Sequence, residues 1–118
     1  MEKPHRKLNV WKQSMDLTVQ AYQATGAFPR EELYGLTGQV RRSAVSVPSN
    51  IAEGAARQTK KEFANFLHIS QGSLSELDTL LEVSFRLGFI DQPSINKLDA
   101  SMIEIDKMLS GLIRKQRA

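Results

Sequence analysis

The stretch between Thr59 and Gly88 constrains this chain more than any other. It holds no proline, and its apolar residues recur at helical spacing throughout. Phe63, Leu67, Ser70, Leu74, Leu77 and Leu81 make one seam, and Phe66, Ile69, Ser73, Glu76, Leu80 and Val83 make a second. Two adjacent seams predict a helix buried across a wide arc, and such a helix needs more than one neighbour. Thr59-Lys60-Lys61-Glu62 reads as its capping box, in which Thr59 and Glu62 satisfy each other's free backbone donors. Gly88 ends it.

The remaining chain supplies the neighbours. A first helix opens at Leu8-Asn9-Val10-Trp11 with Asn9 as N-cap, and carries Trp11, Met15, Thr18 or Val19, and Tyr22 on one stripe until Gly26 and Pro29. Pro29 then starts a second helix, with Glu31 and Glu32 in its first turn. Its stripe is Leu33, Leu36, Val40, Ala44, Val47 and Ile51, with Pro48 inside it. A proline there removes one backbone hydrogen bond, so the helix either kinks or breaks and restarts; Ile51 and Ala55 keep the period and favour a kink. After a short connection from Gly54 to Gln58 comes the long helix. Pro93 begins the fourth, where Ile95, Leu98, Met102, Ile105, Leu109 and Leu112 follow a heptad. No segment alternates as a strand does. The expectation is one all-α domain over residues 1–118, an antiparallel up-down-up-down four-helix bundle with an ordered core at about 8–113 and flexible basic termini.

Composition removes several function classes. The chain has no cysteine, which excludes disulfides, thiolate metal sites and a cysteine nucleophile. No run approaches the roughly 18 apolar residues of a membrane span, and Met1 to Lys7 leads into no signal-peptide core, so a cytoplasmic protein is expected. His5 and His68 have no second ligand at useful spacing and read as solvated residues. With no metal, nucleophile or phosphate-loop motif, neither an enzyme nor a bound cofactor is expected.

Charge is sorted by topology. In an up-down-up-down bundle the N-terminus, the second connection and the C-terminus share one end. That end gathers Lys3, Arg6, Lys7, Lys12, Arg57, Lys60, Lys61, Arg114, Lys115 and Arg117 against Glu2, Glu53 and Glu62, a local +7 within a total of only +3. Such an end suits a phosphate backbone, whereas the plainer reading is that the cations serve solubility. Nothing resembles a recognition helix or an aromatic stacking platform.

A structural polar network of Arg41, Arg42, Asn50, Glu53 and Glu76 is expected around Pro48. Glu76 lies on an apolar seam, and a buried acid needs a partner, so Arg41 or Arg42 is expected to donate to it while Asn50 and Ser46 satisfy carbonyls near the proline. The competing reading makes Glu53 and Glu76 a catalytic carboxylate pair. Leu17, Tyr34, Val45, Phe85, Phe89 and Ile103 fall off the main stripes and are candidates for a subunit interface. Gly35, Gly38, Gly54 and Gly72 permit close helix approach or act as caps and kinks; spacing does not separate the two.

Leu8-Asn9-Val10-Trp11-Lys12, Phe28-Pro29, Glu32-Leu33-Tyr34-Gly35-Leu36, Gln39-Val40-Arg41-Arg42-Ser43-Ala44, Val47-Pro48-Ser49-Asn50-Ile51-Ala52-Glu53-Gly54 and Gly72-Ser73-Leu74-Ser75-Glu76-Leu77 carry a resemblance. Over roughly residues 8 to 113 the chain resembles the four-helix-bundle family of 23S rRNA intervening-sequence proteins, also labelled S23 ribosomal protein. The resemblance implies an antiparallel bundle, often a ring-shaped homopentamer, with no established catalytic activity. A related branch, the accessory variability determinant proteins of diversity-generating retroelements, implies basic pentamers that bind a reverse transcriptase and nucleic acid. This chain departs from that branch in its mild net charge. The resulting expectation is an oligomeric scaffold whose basic end binds RNA, DNA or a nucleic-acid enzyme; the alternative is a protein-interaction module that binds no nucleic acid.

Overall fold

Four helices form in a computed structural model that describes residues 1–117: α1 (Asn9–Thr25), α2 (Leu36–Ala55), α3 (Lys60–Arg86) and α4 (Gln92–Arg117). Each touches the next in the chain, and α4 closes back onto α1; among the described residues no diagonal pair meets. Every contact pair is antiparallel. Thr18 reaches Ala44 while Thr25 meets Arg41, and Ser43 meets Glu76 while Ser70 meets Val47. Gln71 meets Ser110 while His68 meets Arg117. The bundle is up-down-up-down, 44 × 26 × 19 Å, as the helical periods imply.

Regular structure extends past 8–113 at both ends. Pro4–Lys7 makes a 3-10 turn lying on α1 and α2, and α4 continues to Arg117. His5 is therefore not simply solvated: it is half-buried, its ring 4.9 Å from that of Trp11.

Local signals account for most boundaries. At Thr59 the hydroxyl accepts from the Glu62 backbone N–H (3.1 Å), as a capping box requires. The return bond differs, since Glu62 takes the Thr59 hydroxyl proton rather than its amide (2.9 Å). At the far end of α3, Gly88 has φ +82°, a left-handed conformation open to glycine at little cost. Phe89 N–H donates to Ser84 and Gly88 N–H to Phe85, the paired bonds of a Schellman cap. Asp91 caps α4 through a bond from Ser94 N–H (2.9 Å), and the Ser94 side chain, then this backbone bond, lower its carboxyl from its ordinary value.

The starts of α1 and α2 are corrected. Asn9 is already helical, and Leu8 takes the extended cap position. Pro29 initiates only a 3-10 turn, Arg30–Glu32, and α2 starts at Leu36 because Gly35 departs from helical backbone (φ −112°, ψ −113°). Glu32 then caps α2 from outside, accepting from Leu36 N–H at 3.2 Å, where a negative charge faces the positive helix end. Leu33, expected on the α2 stripe, is exposed.

Pro48 lies inside a helix that runs unbroken from Leu36 to Ala55, so the break-and-restart alternative is excluded. The carbonyl it deprives of a donor is that of Ala44. Thr18 of α1 replaces the missing amide: its hydroxyl lies 3.1 Å from Ala44 O and 2.8 Å from Ser14 O, one proton serving both. Thr18→Val should therefore cost about 1 kcal/mol in denaturant unfolding. Combined with Pro48→Ala, the cost should shrink, because an alanine amide at 48 serves Ala44 itself. An equal cost in both backgrounds would mean that the hydroxyl matters only to Ser14.

The core stripe of α1 is rotated from the expected one. Val10, Ser14, Leu17, Ala21 and Thr25 are buried, while Met15, Val19 and Tyr22 are exposed and Trp11 is half-buried. Leu17, expected off the stripe, is fully buried. The first α3 seam is the core seam, but the second is not: Ile69, Glu76 and Val83 are exposed. Phe85 and Phe89 are half-buried, whereas Tyr34, Val45 and Ile103 remain outside.

Candidate nucleic-acid interface

The antiparallel order sets which charges meet. Lys3, Arg6 and Lys7 lie in or beside the N-terminal turn, and Lys12 in the first turn of α1. Arg57 is in the α2–α3 connection, Lys60 and Lys61 open α3, and Arg114, Lys115 and Arg117 close α4. All ten are solvent-exposed. The start of α1 packs on the end of α4, since Leu8 and Val10 share a surface depression with Met108, Leu112 and Lys115. All ten expected contact residues therefore share one end of the bundle.

Three cations are held in place by neighbours. Arg6 lies over the Trp11 ring, 5.5 Å from its centroid, and Arg57 over Phe66 at 4.7 Å. Arg57 also pairs with Glu53 at 3.7 Å, an exposed contact that offsets part of its charge and contributes little stability. Arg117 Nη2 lies 3.2 Å from His68 Nε2. His68 thus belongs to the basic end, a membership sequence reasoning missed. The signal was available: it follows Lys60 and Lys61 by about two helical turns, which puts it on their side of α3.

The expected polar network forms with different partners. Glu76 is exposed and accepts from the Ser43 hydroxyl (2.9 Å), not from Arg41 or Arg42. Arg41 turns instead toward α1, donating from Nε to Thr25 Oγ1 (2.9 Å) with its guanidinium over Tyr22. Arg42 is exposed beside Gly38. Asn50 does satisfy a carbonyl near the proline, donating to Ser46 O at 2.8 Å. Glu53 and Glu76 do not form a pair. Glu76 faces Ser43, and Glu53 lies ten residues farther along α2, about 15 Å by the helical rise. What the network does is mechanical: Ser46 with Ser73 (2.8 Å) and Ser70 with Val47 O (2.7 Å) bind α2 to α3 through short side chains.

These features define a class: a small four-helix bundle with one basic end and short, polar contacts between its second and third helices. Residues 6–111 match the family model for the 23S rRNA-intervening sequence protein, and the chain belongs to that family. Among solved structures, the chain is similar to a protein of unknown function from the S23 ribosomal protein family of Bacteroides thetaiotaomicron. The two share 24% identity at a TM-score of 0.81, over 89% of this chain and 95% of the other, a likeness of fold. No curated protein matches the chain. Among the described residues no helix is long and apolar enough to cross a membrane.

Proposed function

We propose that this protein is a non-enzymatic homo-oligomeric scaffold whose basic end engages the phosphate backbone of RNA or DNA. The observation that carries this reading is the gathering of ten exposed cations at one end of a chain with a net charge of only +3. Assembly draws on the α1–α2 side, where Met15, Val19, Tyr22 and Val45 are exposed around a groove lined by Trp11 and Pro48. Cyclic symmetry, with five copies as the family resemblance implies, sets every basic end on one face of a ring and multiplies a modest charge.

Light scattering coupled to size exclusion tests the assembly, and gel shifts with labelled RNA and DNA test the interface. Binding should weaken steeply between 50 and 200 mM salt, by roughly 10³-fold if about six phosphates are contacted. Lys60→Gln, Lys61→Gln and Lys115→Gln together should flatten the logarithmic salt slope by about 2 to 3. A ring that ignores nucleic acid would favour the second reading, a protein-interaction module. That reading has its own observation, since Leu33, Tyr34 and Leu87 are exposed in the connections at the opposite end.

A further inference from the structure

The side of the bundle formed by α3 and α4 is acidic where the end is basic. A trough follows the seam between these helices, with one cavity of about 440 Å³ continuing into a second through their shared lining residues Asp78, Asp99 and Met102. Its floor is apolar: Leu74 and Met102 are buried, and Ile103 stands half exposed on the lip. Its rim carries four carboxylates, Asp78, Glu82, Asp99 and Asp106, against a single cation, Lys107. Among the described residues Glu82 is paired with Arg86, while Asp78, Asp99 and Asp106 have no ion-pair partner. Partial burial, then the neighbouring Asp99 and Glu82, push the Asp78 carboxyl above its ordinary value. Along α3 the lining runs from Leu74 to Phe85, about 16 Å or three helical turns.

We propose that this trough is a docking site for a cationic amphipathic helix of another protein, its apolar side against Ile103 over the buried Leu74 and Met102 and its flanking Lys or Arg on Asp78, Asp99 and Asp106. Complementary charge selects the occupant and fixes its orientation, and half-exposed Ile103 supplies the apolar contact, since Leu74 and Met102 are each only 4% exposed. A second copy of this chain fits poorly. Most of its clustered cations ride on elements whose apolar stripes are already buried, Leu67 in α3 and Leu109 and Ile113 in α4, and the exposed α1 stripe of Met15, Val19 and Tyr22 has only Lys12 on its helix.

The test uses the full chain and a synthetic helix of leucine and lysine in amphipathic order, with a scrambled peptide of the same composition. Fluorescence anisotropy should show the ordered peptide binding at least 10-fold more tightly than the scramble. Asp78→Asn with Asp99→Asn should weaken the ordered peptide at least 10-fold while circular dichroism and RNA binding stay unchanged. Chemical shifts should move at Met102 and Ile103. Equal affinity for both peptides, an unaffected double variant, or shifts mapping elsewhere would overturn the proposal. So would peptide-free self-association that the double variant abolishes, since a second copy would then be the occupant.

Discussion

Replacing Gly54 with valine should lower the stability of the bundle by about 3 kcal/mol, the upper end of what overpacking costs, and the melting temperature by on the order of 10 °C. A Cβ at Gly54 would lie 2.7 Å from Phe66 Cβ and 2.9 Å from Phe63 Cδ1. The Phe63 ring can swing aside, but Phe66 Cβ is fixed to the α3 backbone, so relief requires α2 and α3 to separate. Separation there strains the short bonds farther along the same interface, Ser70 to Val47 O and Ser46 to Ser73. Gly54→Ala meets the same atoms but gains about 1 kcal/mol of helix propensity, so its loss should be smaller. Gly72 is the control. A Cβ there meets nothing within 4 Å, and Gly72→Ala in the exposed middle of α3 should stabilise by roughly 0.5–1 kcal/mol. Thermal and denaturant unfolding of the three variants checks the set; a Gly54→Val protein as stable as the parent would show that the close approach of α2 and α3 is dispensable.

Glycine spacing alone did not separate these two roles, and the reason is physical. Whether a glycine admits a neighbouring helix depends on what the partner presents at that level, a tertiary fact. Features settled within a few residues were legible: the Thr59 cap, the left-handed Gly88 and the α4 stripe of Ile95, Leu98, Met102, Ile105 and Leu109, which ends on buried Ile113 with the expected Leu112 only half-buried. The start of α2 was misplaced because proline and two acids announce a helix, while the departure of Gly35 from helical backbone leaves only a 3-10 turn before Leu36. Glu32 still acts on the α2 dipole, from a cap position rather than from the first turn.

The basic end was legible as soon as helix order was known, because alternating direction alone sorts the termini and the second connection together. Partners of individual polar residues were not. Arg41 and Arg42 stand on the same helix as Ser43, yet the turn of α2 aims Arg41 at α1, Ser43 at α3 and Arg42 at solvent. Glu76 needed no arginine because it is exposed, and its apparent seam is an outer one. Water and one hydroxyl satisfy it there, at much smaller cost than a buried acid would carry.

Rotation of α1 carries the second large effect. Two apolar stripes compete on this helix: Trp11, Met15, Val19 and Tyr22 are larger, and Val10, Ser14, Leu17, Ala21 and Thr25 are smaller and partly polar. The smaller stripe is buried because its hydroxyls need no external partner. Ser14 donates to Val10 O at 2.6 Å and Thr25 to Ala21 O at 2.9 Å, both within their own helix. Small side chains then let α1 lie close on its neighbours, with Leu17 filling the space between. Leu17→Ala should accordingly cost about 2–5 kcal/mol, whereas Met15→Ala and Val19→Ala, on exposed positions, should change the unfolding free energy by about 0.5 kcal/mol or less. Those two outer substitutions should act on assembly instead, shifting light scattering toward smaller species at protein concentrations where the parent is oligomeric. Unfolding of the dilute proteins separates the effects, since dilution removes subunit contacts and leaves the bundle core. A costly Met15→Ala beside a neutral Leu17→Ala would turn α1 back to the stripe that hydrophobic periodicity favours, and would bury the surface proposed for subunit contact.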